Sequence, residues 1–273
     1  MKYVRIIVTV LFVLSLGVYG LSLVKEKRDE DPTKPVITTD RDVVEVPCAY
    51  EEADLLEGLQ ASDEKDGDLT NEIMAGNLSQ FLEPGVCNVS YVVFDSSNQS
   101  ASLTRKVKFT DYQSPKFTLS EPLVFRAGAG SNAIKKVGAS DMLDGDISSL
   151  VTLVDNTVDY RTEGTYNLSV QVSNSLGDVQ NAELRVHILE GSNASLQIQL
   201  QSPLVYVKAG EAFDSNAYVT GVEDADGNLL TAPFIQAESN VNTAQEGCYE
   251  VHYTASDEMG LQGETWMIVI VRQ

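Results

Sequence analysis

The sequence predicts an all-β chain in which one apolar N-terminal helix precedes three β-sandwiches in tandem. Three observations lead to this fold class: an internal repeat of about 80 residues, strictly alternating strands in each copy, and a single long uncharged segment near the N-terminus. The 273 residues suffice for two or three domains, and a unit of that size buries a small but workable core. We therefore expect repeated modules rather than one enzyme core.

The uncharged segment runs from Ile6 to Val24, which is 19 residues. This is the length that a helix needs to cross the hydrocarbon core of a bilayer. A cleavable signal peptide that exits at Val18-Tyr19-Gly20 is the alternative, and we favour an uncleaved anchor. The predicted order is a cytoplasmic end (1–5), a transmembrane signal anchor (6–24) and a charged linker (25–35). We expect a single-pass protein of the cell membrane with its C-terminal domains extracellular.

The internal repeat is defined by two landmarks, a turn phrase Asp-Gly-Asp or Asp-Gly-Asn and a glycine-led strand about 19 residues later. The turn phrase recurs after 78 and 82 residues, and the strand recurs after 79 and 83. Two landmarks that drift together indicate three copies of one folding unit. The strands begin at Gly85, Gly164 and Gly247. We place the domains at 36–111, 112–190 and 191–273.

Each glycine-led strand alternates apolar and polar side chains. In the second copy Leu168, Val170 and Val172 alternate with polar residues, and a period of two is typical of a half-buried antiparallel strand. A turn and a second strand follow in every copy, which predicts a closing hairpin. Several short strands per unit with turns between them indicate a β-sandwich.

The runs Ala61–Thr70 and Ala139–Ser148 share the pattern Ala-Ser-Asp-x-x-Asp-Gly-Asp-Leu/Ile-Thr/Ser. With the later Gly-Thr-Tyr-x-x-x-Val, this pattern resembles the bacterial immunoglobulin-like repeat of Gram-positive surface proteins, which is also attached to some insecticidal crystal toxins. The third copy departs from it, because Val222–Asn228 keeps the turn and loses the last aspartate. The resemblance covers about residues 36–273. It implies immunoglobulin-like sandwiches that act as spacer or adhesive modules on the cell surface, without catalysis.

The aspartates of the turn phrases are candidates for a calcium site, since calcium takes six to eight oxygen ligands. The alternative, which we favour, is that Asp-Gly forms a tight turn in which the aspartates accept local backbone N–H groups. The turns at Asp95 and Asp257 are further candidate ligands, as in cadherin-like modules. No other cofactor is expected. The candidate metal residues are Asp63, Asp66, Asp68, Asp141, Asp144 and Asp146.

The three cysteines differ in where the alternation places them. Cys87 takes the inward position that tyrosines fill in the other copies, and Cys48 lies in the same unit. Because an exported chain keeps disulfides, we predict a Cys48–Cys87 bond, with two buried thiols that never meet as the alternative. Cys248 is left over and points outward, which indicates either intermolecular pairing or a tolerated unpaired thiol.

The last strand of the third copy carries an apolar stripe where the first two copies are mainly charged. Exposed apolar patches that contain a tryptophan often mark interfaces. We predict that this membrane-distal face binds a protein or glycan partner or forms a dimer. The alternatives are a bulge that turns the strand over and coverage by the loop 231–236. The predicted partner-binding residues are Trp266, Ile268, Ile270, Cys248 and His252.

Charge and composition narrow the function. With 19 Lys and Arg against 40 Asp and Glu, the net charge is −21, which excludes nucleic acid as a favoured partner. The chain has two histidines, both predicted to face solvent, and we find no nucleophile elbow or phosphate loop in it, so we expect no enzyme. The predicted function is a surface spacer, adhesion or protein-interaction module. The alternatives are a carbohydrate-binding module and an accessory subunit of an envelope complex, with or without calcium.

Overall fold

The computed structural model describes residues 2–29, 31–190 and 196–273. The chain forms two compact units, one that ends at Thr110 and one that runs from Asp111 to Gln273. The second unit contains two successive sandwiches. The predicted start of the third domain, residue 191, lies outside the described residues.

Helix α1 spans Lys2–Asp29. The predicted anchor, residues 6–24, falls within this helix, and the predicted linker, 25–35, begins in it. Among the residues that the structure describes, however, no helix is both long and apolar enough to cross a membrane. The transmembrane anchor stays a prediction of the sequence.

The first unit contains a sandwich of a three-stranded sheet, in the order β1-β3-β4, and a four-stranded sheet, in the order β2-β7-β6-β5. A short helix α2 (Glu52–Leu56) and a 3-10 turn (Thr70–Glu72) complete it. The strands are β1 (Val36–Thr39), β2 (Val43–Val46), β3 (Leu59–Asp63), β4 (Gly67–Asp68), β5 (Met74–Leu78), β6 (Val86–Phe94) and β7 (Ser100–Phe109).

The second sandwich repeats this arrangement with the sheets β11-β10-β8 and β12-β13-β14-β9. It has 3-10 turns at Ala133–Lys136 and Ser148–Leu150. The strands are β8 (Lys116–Leu119), β9 (Val124–Arg126), β10 (Val137–Asp141), β11 (Gly145–Asp146), β12 (Thr152–Asn156), β13 (Gly164–Ser173) and β14 (Val179–Leu189).

The third sandwich keeps both sheets, as β15-β17 and β16-β20-β19-β18. Its 3-10 turn covers Ser215–Tyr218. The strands are β15 (Gln197–Leu200), β16 (Leu204–Lys208), β17 (Val219–Glu223), β18 (Phe234–Ser239), β19 (Gly247–Ser256) and β20 (Gln262–Arg272).

The three closing hairpins share one register. Residues 20 positions apart are paired at the same point in each: Cys87 with Val107, Tyr166 with Val186, and Tyr249 with Val269. In each sandwich the second hairpin strand also pairs in parallel with an early strand, β2, β9 or β16. The copies are therefore the same fold in structure as well as in sequence pattern.

The alternating apolar residues of the hairpin strands form the cores of the sandwiches, as predicted. In β6, Val89, Tyr91 and Val93 are at most 1% exposed, and Leu168 and Val172 are as deeply buried in β13. The all-β prediction is confirmed for these sandwiches. One inward position holds a charge: Arg105, 2% exposed, donates to the carbonyl oxygens of Leu55 and Glu57.

Candidate functional sites at the sandwich junction and the aspartate turns

Trp266 lies between two histidines at the junction of the second and third sandwiches. Its ring stacks on His187 of the second sandwich and on His252 of the third, with centroids 4.1 Å apart in both pairs. The interplanar angles of 10° and 9° make the three rings nearly parallel. The indole is therefore held on both faces and does not form an open platform.

The apolar stripe that includes Trp266 is covered by the second sandwich. Ile268 is 2% exposed and belongs, with Leu204, to the hydrophobic core of the second sandwich, and Ile270 packs against that core. This corrects the prediction of a free partner face. Neither predicted alternative, the bulge nor the 231–236 loop, accounts for the coverage, because the neighbouring copy provides it.

Buried polar contacts fix the junction. His187 Nε2 lies 2.7 Å from Glu250 Oε1, and its Nδ1 lies 3.1 Å from Thr165 Oγ1. His187 is 6% exposed and Glu250 is 8% exposed, so the prediction that both histidines face solvent is wrong for His187. His252 lies at the edge, where its Nε2 is 3.1 Å from Glu264 Oε2. A buried polar pair costs free energy unless it is hydrogen-bonded, and here it is.

Tyr206 anchors the other side of the junction. Its hydroxyl oxygen accepts a hydrogen bond from the Phe117 backbone N–H at 2.7 Å, and Arg272 lies 4.5 Å over its ring. Arg272 in turn donates to the carbonyl oxygens of Ser114 and Pro115. Burial raises the pKa of the Tyr206 hydroxyl. These bonds run from the third sandwich to the first strand of the second and its approach.

A cleft of about 480 Å³ borders this junction. Arg185, Glu183 and Tyr206 line it, together with Cys248, which is exposed as the alternation predicts. Of the predicted partner residues, Cys248 and Ile270 both line this cleft. Trp266 and Ile268 belong to the junction, and Ile270 packs against its core while it also borders the cleft.

The aspartate turns have the same local bonds in the first two copies. Asp63 Oδ1 accepts the backbone N–H groups of Lys65 and Asp66, and Asp141 Oδ1 accepts those of Leu143 and Asp144. In the third copy Asp224 Oδ1 accepts the N–H groups of Asp226 and Asn228. These are the bonds of the turn interpretation.

The other aspartates of the first two turn phrases accept hydrogen bonds from residues outside the tight turn. Asp66 Oδ2 accepts the Ser96 N–H and Asp144 Oδ2 the Ser175 N–H, so each ties its turn to the hairpin turn. The Ser96 bonds lower the pKa of Asp66. Asp68 and Asp146 accept from Thr70 and Ser148, and these bonds lower the pKa of both carboxyls. Neither belongs to the carboxylate cluster found among the described residues, which consists of Asp31, Asp63 and Asp66.

The second copy surrounds Asp141 with neutral hydrogen-bonding groups. Asn174 Nδ2 donates to Asp141 Oδ2 at 3.2 Å and to the Tyr112 hydroxyl at 2.9 Å. Tyr112 donates to Asp178 Oδ2 at 2.8 Å, and burial raises the pKa of its hydroxyl. The predicted metal residues Asp141 and Asp144 thus lie in a network whose oxygens are already hydrogen-bonded.

The first copy brings Asp63 and Asp66 together with Asp31. One carboxylate oxygen of each lies within 4.8 Å of the others. Asp31 is not among the residues predicted from the sequence, because it lies in the segment assigned to the linker. A signal was present, since Asp31 and Asp111 both stand five residues before the first strand of their copies.

The predicted Cys48–Cys87 disulfide is not formed in the described residues. Cys48 follows β2 and Cys87 lies on β6, and β7 runs between these two strands. Strands two places apart are about 10 Å apart, whereas a disulfide needs Cα atoms within about 7 Å. Cys87 is fully buried, which raises the pKa of its thiol to about 11.

The comparisons with known proteins agree with this architecture. Residues 200–271 match the model of the family described as bacterial surface protein, Ig-like domain. Pesticidal crystal protein Cry22Aa of Bacillus thuringiensis is 29% identical over 224 residues, which cover 78% of this chain and 29% of that protein. An uncharacterized 81.3 kDa protein of Acholeplasma phage L2 is 28% identical over 137 residues, 49% of this chain and 18% of that protein. The chain thus spans less than a third of either relative.

Several solved structures resemble the chain at low sequence identity. The M60 catalytic domain with the CBM51-1 and CBM51-2 domains from Clostridium perfringens ZmpB is 13% identical, with a TM-score of 0.25, over 89% of this chain and 31% of that one. The extracellular domains 1–5 of protocadherin gamma B2 are 15% identical, with a TM-score of 0.21, over 87% and 60%. Neither carries an argument about function. The matches to the surface-protein domain and to Cry22Aa confirm the resemblance to bacterial surface immunoglobulin-like repeats.

Proposed function

We propose that the chain is a non-catalytic module of the cell surface, a spacer or protein-interaction module in which the second and third sandwiches act as one stiff body. The observation that carries this proposal is the junction, where Leu204 and Ile268 of the third sandwich are part of the core of the second. Sandwiches in one chain move independently unless their interface is hydrophobic and well packed. A stiff pair holds whatever its far end contacts at a fixed distance.

The absence of catalysis is part of the proposal and rests on how the histidines are used. His187 is buried and uses both ring nitrogens in contacts with Thr165 and Glu250. His252 is stacked on Trp266 and paired with Glu264. Groups held in this way stabilise a junction and are poor candidates for a general base that must reach a substrate.

The surface location is also proposed. The net charge of −21 and the match to a surface-protein domain support it. Attachment to the cell membrane through the N-terminal helix, with the sandwiches outside, is the arrangement to test. Protease added to intact cells should remove the sandwiches, and deletion of residues 2–29 should release them from the membrane fraction. Recovery of the full chain in the cytosolic fraction would contradict the location.

Glycan binding is the alternative that one observation favours. The cleft beside the junction is lined by Arg185, Tyr206 and Arg272, groups that hydrogen-bond or stack on sugars. Trp266 is not available for this purpose because both of its faces are covered. A glycan array probed with the full chain tests the alternative, with an Arg185→Ala variant as the check that binding uses the cleft.

The experiment for the stiff pair removes the central ring. Trp266→Ala deletes both stacking contacts and should lower the unfolding free energy of the second unit by about 3 kcal/mol. Residual dipolar couplings of the wild-type chain should fit one alignment tensor across the second and third sandwiches, and those of Trp266→Ala should need two.

The matched control is Phe234→Ala, which removes an exposed aromatic ring from the third sandwich away from the junction. It should leave stability within about 0.5 kcal/mol and keep the single tensor. If the wild-type chain already requires two tensors, the two sandwiches are independent and the stiff-pair proposal is wrong.

A further inference from the structure

Three carboxylates converge on the turn region of the first sandwich. Asp31, Asp63 and Asp66 each place an oxygen within 4.8 Å of the others. Asp95 begins the hairpin turn beside them, and Asp66 Oδ2 accepts the N–H of the next residue, Ser96, at 2.8 Å. Acidic clusters are common on protein surfaces. The burial and hydrogen bonding of the carboxylate oxygens therefore decide whether this cluster is a candidate cation site.

Three of these carboxylates are buried and only partly satisfied. Asp63 is 7% exposed, Asp95 is 6% exposed, and the Asp31 side chain is fully covered. Within the described part of the chain, the Oδ2 atom of each is buried without a hydrogen-bond partner. Burial of an ionised carboxylate costs several kcal/mol unless a cation or hydrogen bonds compensate it. None of these three oxygens accepts a hydrogen bond from the described residues, and only Asp31 Oδ2 has an ion-pair contact, with Lys65 at 4.0 Å.

In the second copy, the residue equivalent to Asp95 is an asparagine that supplies the missing hydrogen bond. Asn174 and Asp95 are equivalent, each ten residues after the glycine that opens the hairpin. The Asn174 amide donates to Asp141 Oδ2 at 3.2 Å, which is the oxygen that corresponds to the unpartnered Asp63 Oδ2. The change from asparagine to aspartate removes that donor and adds a charge.

The aspartate five residues before the first strand also differs in burial between the two copies. Asp31 is buried in the first copy, whereas the equivalent Asp111 is exposed in the second. The first copy thus has buried carboxylates at Asp31 and Asp95, where the second copy has the exposed Asp111 and the hydrogen-bonded amide of Asn174.

Lys65 is the cation that lies nearest in the described residues, and it does not balance the cluster. Its Nζ is 4.0 Å from Asp31 Oδ2 and 3.2 Å from Ser97 Oγ, and its side chain is 40% exposed. One partly solvated ammonium faces four carboxylates, which leaves a net charge of about −3 at this place.

We propose that the first sandwich binds a calcium ion through Asp31, Asp63, Asp66 and Asp95. Calcium takes six to eight oxygens in a flexible geometry, and carboxylates from separate loops satisfy this requirement, with water completing the shell. Magnesium demands a near-ideal octahedron and gives up its waters reluctantly, so it fits a cluster of this kind less well. The proposal is independent of the spacer function, because it concerns another unit of the chain.

The test is a calcium titration of the full chain by isothermal calorimetry, at ionic strength matched with KCl. We expect one site with a Kd of about 0.1–1 mM, the range of extracellular calcium modules. At about 10 mM calcium the first unfolding transition should move up by roughly 5–10 °C. Magnesium should bind at least about tenfold more weakly.

Two variants locate the site. Asp95→Asn copies the residue of the second sandwich, folds without calcium for that reason, and should weaken calcium binding by about tenfold or more. Asp68→Asn is the matched control, since Asp68 lies in the same loop and bonds Thr70 outside the cluster. It should bind within about twofold of wild type. Absence of heat in the wild-type chain at millimolar calcium, or equal weakening by both variants, would overturn the proposal.

Discussion

The first and second sandwiches form the same pair of turns and fill the space between them in different ways. In the first, Asp31, Asp63 and Asp66 converge, and buried oxygens there have no hydrogen-bond partner in the described chain. In the second, Asn174 and Tyr112 fill the space with hydrogen bonds. Under the calcium proposal, one position of one fold binds a cation in one copy and is completed by hydrogen bonds in the other.

The three copies share one fold and differ at the positions where we propose function. The hairpins of all three copies have one register, so the fold does not distinguish them. What distinguishes them is a few substitutions at shared positions: Asp95 against Asn174 at the turn, and Lys108 against Ile270 on the outer strand. The first pair separates a turn with an added buried carboxylate from one with a hydrogen-bonded amide, and the second separates a solvated face from a packed junction.

The largest effect is expected for Asn174→Asp. This change removes the donor to Asp141 and Tyr112 and places a second buried carboxylate beside Asp141. The second unit should lose about 3 kcal/mol of unfolding free energy at neutral pH, measured by urea denaturation. Ser173→Ala, one residue earlier with its side chain bonded to its own neighbour, serves as the control with little loss. An unchanged midpoint would mean that the hydrogen bonds of the Asn174 amide do not stabilise the second unit.

A smaller effect of opposite sign is expected for Asp95→Asn in calcium-free buffer. The new amide can donate to Asp63 Oδ2 as Asn174 does to Asp141, and one buried charge disappears. The first unit should gain about 1–2 kcal/mol. Added calcium should reverse the order, because the wild-type chain alone then gains stability. Destabilisation in the absence of calcium would show that the Asp95 charge is already compensated.

The smallest effect is expected at low pH, where the first and second sandwiches should both lose stability. Hydrogen bonds from Thr70 and Ser148 lower the folded-state pKa of Asp68 and Asp146 below the unfolded value. A lowered folded pKa adds stability above the unfolded pKa, and this stability is lost as pH falls through the folded pKa. Both copies should therefore lose stability together as pH falls below about 4. Denaturation curves of Asp68→Asn and Asp146→Asn should each show a weaker loss than wild type.

Local pattern accounts for most of the fold that the sequence predicts. The alternation of β6, β13 and β19 identifies the buried faces, since a period of two leaves little choice of register. Asp-Gly specifies its turn through bonds within four residues, as the Asp63 and Asp141 contacts show. These features depend on residues that are close in sequence, so a sequence pattern can predict them.

Contacts between distant segments account for what the sequence did not predict. Trp266, Ile268 and Ile270 read as an exposed stripe because a strand pattern shows which face is apolar and not what covers it. Asp31 joins Asp63 only after the linker folds back beside the turn, 32 residues away in sequence. The disulfide prediction placed Cys48 and Cys87 in one unit correctly, but β7 separates their strands.

Hydrogen–deuterium exchange of the full chain, with and without about 10 mM calcium at matched ionic strength, tests the comparison of the two copies most directly. The account predicts slower exchange at residues 60–69 and 95–99 of the first sandwich. It predicts unchanged exchange at the equivalent residues 138–147 and 174–178 of the second. Equal slowing in both copies, or no change in the first, would contradict it.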